Sequence, residues 1–108
     1  MALLAGCATT QGRFAAIGAT YPARATDHAI DVFKEGLPTR AYVKVARLDA
    51  HLEKAGWVVS DLDEALVELK RQARLAGGDA IIDIREQRSR INETRVLHVS
   101  ATGIRYTD

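Results

Sequence analysis

Residues 60–84 read SDLDEALVELKRQARLAGGDAIIDI, and the fold class turns on this stretch. Leu62, Ala65, Leu66, Leu69, Ala73 and Ala76 recur at three- and four-residue steps, which lays one apolar stripe along a helix. Ser60 is a good N-cap, and Asp63 three residues on makes a variant of the capping box. Asp61, Asp63 and Glu64 fall in the first turn and Lys70, Arg71 and Arg74 later, an order that suits the helix dipole. Gly77-Gly78 supplies the stop. Ala80 to Ile84 follows at once as a strand, with Ile82 and Ile84 on one face and Asp83 on the other. Small residues in the stripe let the helix lie close to a sheet, with Ala80, Ile82 and Ile84 beneath it.

Outward from this core, Glu86 to Glu93 is polar and reads as a hairpin tip, with Asn92 suited to the turn. Arg95 to Tyr106 is the last strand, with Leu97, Val99 and Ala101 on one face and Gly103 marking a bulge or a close approach. Upstream, Ala41 to Leu48 is a strand, carried by Tyr42, Val43 and Val45. His51 to Val59 either extends it or loops around Gly56 and Trp57. Ala29 to Phe33 is a short strand ended by Gly36-Leu37-Pro38. The expected order is β-β-α-β-β: an α+β domain over 28–108, with one helix on one face of a four-stranded, largely antiparallel sheet. Residues 8–27 are rich in Ala, Thr and Gly without a sustained period, and read as a flexible tether. About 20 extended residues would span roughly 65 Å.

The chain has 108 residues, so one domain is expected. Fifteen Lys plus Arg against fourteen Asp plus Glu leave a net charge of +1, which gives no long-range field to gather nucleic acid or anionic lipid. The single cysteine, Cys7, excludes an intramolecular disulfide, so packing must hold the domain together.

Leu4-Ala5-Gly6-Cys7 resembles a bacterial lipobox, an apolar residue and two small ones before cysteine. Residues 1–7 then read as the end of a truncated lipoprotein signal, because only six uncharged residues precede the cysteine. The resemblance implies lipid on Cys7 and cleavage before it. More than one acyl chain makes such an anchor stable. Ala8 and Thr9, rather than an Asp, imply export to an outer membrane, with the domain facing the periplasm.

Ala65-Leu66, Leu69, Ala73, Gly77 and Asp79-Ala80-Ile81-Ile82 are similar to the helix-to-strand segment of small bacterial envelope proteins. These include the YbjQ-like domains and the RcsF-like lipoproteins, and Ala101 to Tyr106 resembles their closing strand. The likeness covers residues 28–106 and implies an α+β domain that assembles through its sheet. Gly78 stands where many relatives have Ala, and the disulfide cysteines of the RcsF-like proteins are missing, so their signalling role does not carry over.

Chemistry-bearing patterns are sparse. His28, His51 and His98 are widely separated, with no His-x-x-x-His or Cys-x-x-Cys spacing, so no metal and no cofactor is expected. No nucleophile elbow or phosphate-binding glycine loop occurs, so an enzyme is not expected. Tyr42, Trp57 and Tyr106 are the candidate interaction residues, against the plainer reading that Trp57 closes the core. The expected function is a membrane-tethered envelope lipoprotein whose domain is a non-catalytic protein-interaction or structural module. A small-ligand or metal-binding module and a soluble homo-oligomer are the alternatives.

Overall fold

The computed structural model describes residues 8–56 and 58–108. Cys7 and Trp57 lie outside the described residues, and so do the expectations placed on them. The elements run β1 (Ala8–Ala16), β2 (Asp31–Val32), β3 (Tyr42–Ala55), α1 (Leu62–Leu75), β4 (Ala80–Ile91) and β5 (Thr94–Tyr106). The fold is α+β with one helix, as expected. The sheet, however, has five strands in the order β1-β3-β5-β4-β2 and is mixed: β2 runs parallel to β4, and the other pairs are antiparallel.

The largest departure is at the N-terminus. The stretch expected to be a tether holds β1, which pairs with β3 over nine residues from Ala8↔Lys54 to Ala16↔Ala46. The segment after it also packs. Arg24 N–H donates to Arg74 O at 2.7 Å, and Arg74 Nε donates to His28 O at 2.7 Å. Tyr21 packs against the core and Ile30 is buried. Of the expected strand at Ala29–Phe33, only Asp31–Val32 pairs, along β4.

Asp61, not Ser60, caps α1. Its side chain accepts from Glu64 N at 2.9 Å, and Glu64 Oε1 accepts from Asp61 N, a reciprocal box one residue later than the sequence suggests. Ser60 is instead buried, and Arg88 donates to its carbonyl at 2.8 Å. At the other end Gly77 N–H reaches Arg74 O at 3.1 Å and Gly78 N–H reaches Ala73 O at 2.8 Å, a Schellman turn with Gly77 at φ 82°.

The core lies between α1 and one face of the sheet. Ala65, Leu66, Leu69 and Ala73 meet Leu48, Ala50 and Leu52 of β3, Leu97, Val99 and Ala101 of β5, and Ile81 of β4. Ile82 and Ala80 do not sit beneath the helix as expected. They join Ile104 in a smaller cluster with Phe33, Tyr42 and Tyr106. The cause is Asp83, at φ 54°, where the β4–β5 register shifts between Ile82 and Arg85. The shift returns Ile84 to the main core. A second shift in β3, between Lys44 and Ala46, lies opposite Gly103, which meets the alternative of a bulge at that point. The polar tip is shorter than expected: β4 runs to Ile91 and β5 starts at Thr94, with Asn92 at φ 56° in the turn.

Candidate functional site

One helix covers one face of the sheet, and the middle of the other face is open. Register assembles this face in cross-strand rows. Arg13, Asp49, Ser100 and Arg85 form one row across β1, β3, β5 and β4. His51, His98 and Gln87 form the next, and Arg47 and Thr102 lie on the other side. Beyond the β3 irregularity Lys44 stands opposite Ile104, and Tyr42 stands opposite Tyr106.

Two shallow depressions follow the rows. Gly12, Arg13, Asp49, His51 and His98 line one, and Lys44, Arg47, Asp83, Arg85, Ser100 and Thr102 contribute to the other. The two histidines, far apart in sequence, are cross-strand partners with ring centroids 6.1 Å apart. Each is engaged by an acid: His98 Nε2 lies 2.6 Å from Asp49 Oδ1, and His51 Nε2 lies 2.7 Å from Glu53 Oε2. An ionised carboxylate only accepts, so both rings donate from Nε2. Asp49, His98 and Ser100 share this face, but no hydrogen bond joins the Ser100 hydroxyl to either group among the described residues. A nucleophile and its base need that contact or close reach. No cluster of three or more His, Cys, Asp or Glu is arranged to hold a metal ion among the described residues.

His28 lies elsewhere, in a network around Asp79. The Asp79 carboxylate accepts from His28 Nε2 at 2.8 Å, Arg24 Nη2 at 3.1 Å and Tyr106 N–H at 3.0 Å. Burial works to raise its pKa, but these donors outweigh burial and hold the carboxyl below its ordinary value. The network fastens the N-terminal segment to the start of β4 and the end of β5, which is a structural task.

Of the expected interaction residues, Tyr42 and Tyr106 stand together at one end of the open face, half-buried against Ile82 and Ile104. Tyr106 Oη donates to Asp31 Oδ2 at 2.7 Å, and the Arg40 guanidinium lies 3.8 Å from its ring centroid. Burial, then the bond to Asp31, pushes this phenol up to about 12. Sequence reasoning missed the His51–His98 pair. The period-two spacing of Arg47, Asp49, His51 and Glu53 was a visible sign of a polar strand face, but only the β3–β5 register brings the second histidine to it.

No helix among the described residues is long and apolar enough to cross a membrane. Neither family models, nor curated proteins, nor solved structures give a match to this chain.

Proposed function

We propose that this chain is a bacterial envelope lipoprotein, anchored through lipid on Cys7, whose domain is a non-catalytic interaction or structural module facing the periplasm of an outer membrane. Support for the anchor is the Leu4-Ala5-Gly6-Cys7 pattern. The observation that carries the module reading is the open sheet face, whose histidines are occupied by Asp49 and Glu53 rather than aimed at a hydroxyl or a shared ligand point. Edge strand β1 adds to it. The strand, ATTQGRFAA, has no proline and no acid and carries one charge, so little in it resists pairing with a partner strand.

The test is expression of the gene from its native locus with Cys7 and with Cys7→Ser, metabolic labelling with a fatty-acid analogue, and fractionation. The reading predicts a labelled, membrane-bound Cys7 form and an unlabelled, soluble Ser form. Two unlabelled, soluble forms would overturn it in favour of a soluble homo-oligomer.

A second reading, a small-ligand module, draws on the depression lined by Arg13, Asp49, His51 and His98. It predicts a concentration-dependent rise in melting temperature with one compound of a thermal-shift panel. A flat panel counts against it.

A further inference from the structure

Net charge hides how the cations are placed. Arg24, Lys34, Arg40, Lys54, Arg71 and Arg88 each stand within 4.0 Å of an acid. Arg13, Lys44, Arg47 and Arg85 are exposed, form no ion pair among the described residues, and line the two depressions of the open face. Asp49 and Glu53, hydrogen-bonded by His98 and His51, lie on the same face. Asp83 is the one further acid lining it among the described residues. Lys70, Arg74, Arg90, Arg95 and Arg105 form no ion pair among the described residues either, but line neither of these depressions, so the open face sets four cations against three acids.

The second observation is where β1 lies. β1 starts at Ala8, the residue after Cys7, and Arg13 lies within that strand. Consecutive Cα atoms are about 3.8 Å apart, so an anchor at Cys7 leaves the sheet no reach away from the bilayer. The strand that carries Arg13 then starts at the headgroups, and Arg13 lies within roughly 20 Å of the anchor.

We propose that the open face of the sheet lies on an anionic bilayer surface, with Arg13, Lys44, Arg47 and Arg85 against lipid phosphates. This deepens the envelope reading and takes its source of bilayer from it. Each such cation contributes about 1 kcal/mol near an anionic surface. The acids on the face offset part of this, so the face alone binds weakly and acts chiefly to orient an anchored domain. A shallow face suits a flat surface of many headgroups better than a single enclosed anion.

The experiment uses the full chain with Cys7→Ser, which separates it from lipidation. Vesicle co-sedimentation is measured with phosphatidylcholine alone and with added phosphatidylglycerol, at low and raised salt. The expected result is binding to the anionic vesicles only, weakened by salt. Arg13→Gln/Arg47→Gln/Arg85→Gln should bind about a hundredfold less at an unchanged melting temperature. The control Lys70→Gln/Arg90→Gln, whose residues line neither depression, should bind as the parent does. No binding to anionic vesicles, equal binding to neutral ones, or equal loss in both variants would overturn the proposal. So would full competition by inorganic phosphate, which marks a simple anion site, or binding to polyglutamate in place of vesicles, which marks an acidic protein partner. If the vesicle result holds while Cys7 is never labelled, the anchor fails and the membrane face stands.

Discussion

Asp79 and Gly77 show how much of this fold rests on single residues where the N-terminal segment meets the helix end. Asp79→Asn keeps the shape but removes the charge that Arg24 and His28 share. A loss of about 1–3 kcal/mol is expected, read as a lower denaturant midpoint at an unchanged slope. Its folded pKa is depressed, so the unfolded chain binds this proton more readily than the folded one. The stabilisation is therefore complete above about pH 4 and is lost as the pH falls through the depressed value. Parent and variant should converge in stability toward acid, and a constant gap down to the lowest measurable pH would refute the assignment. Gly77 combines φ 82° with a close approach: a Cβ there would sit 2.7 Å from both Pro22 O and Tyr21 Cβ. The left-handed backbone alone costs an alanine roughly 1–2 kcal/mol. Gly77→Ala should therefore lower the melting temperature by at least several degrees, and a variant as stable as the parent would mean that the segment around Tyr21 does not lie there.

At the scale of elements, one buried amide joins α1 to β3, beside β1. Gln72 is fully buried; its Nε2 donates to Asp49 O at 2.6 Å and Glu68 Oε2 at 2.8 Å, and its Oε1 accepts from Asp49 N at 3.1 Å. Arg71 grips Glu68 in turn and leads in holding that carboxyl below its ordinary value. Gly12 is the strand residue that makes room, because a Cβ there would collide with the Gln72 amide and the Glu68 carboxylate. Gln72→Leu, which strands the Asp49 peptide groups, should cost about 1–3 kcal/mol by chemical denaturation. Gly12→Ala should release β1, detected as faster amide exchange over Ala8–Ala16 with the helix unaffected. The helix was legible in sequence because its period and stop signals agree, and so were β5 and the first half of β3; the second half of β3 was left open between strand and loop, and the structure extends the strand to Ala55. β1 was not legible, because ATTQGRFAA shows no apolar alternation and its pairing with β3 is a long-range event. Of the inward residues expected in β4, Ala80 and Ile82 were misassigned and Ile84 was not, since one left-handed residue, Asp83, exchanges the two faces, and an aspartate in a strand gives no warning of it. The candidate site fared similarly: its polar residues were visible one by one, and only register made a face of them.

Across the whole molecule, an N-terminal strand in place of a tether changes what an anchored domain can do. A 65 Å leash would let an anchored head search away from the bilayer, whereas a strand directly after the proposed anchor at Cys7 would keep it at the surface. It also makes the N-terminus part of the stability of the sheet. A fragment starting at Gly18 leaves β3 as an unpaired edge. It should melt lower and self-associate more than the full chain, as seen by calorimetry and light scattering. Equal melting of the two would show that β1 adds nothing. The proposed anchor next to the sheet, the proposed orientation of the open face and the role of Gly12 all depend on β1 being in place. Hydrogen exchange on the full chain tests this most directly. Alternate amides of Ala8–Ala16 should exchange slowly, as those of a strand paired on one side do. Uniformly fast exchange across the segment would restore the flexible tether and contradict the account.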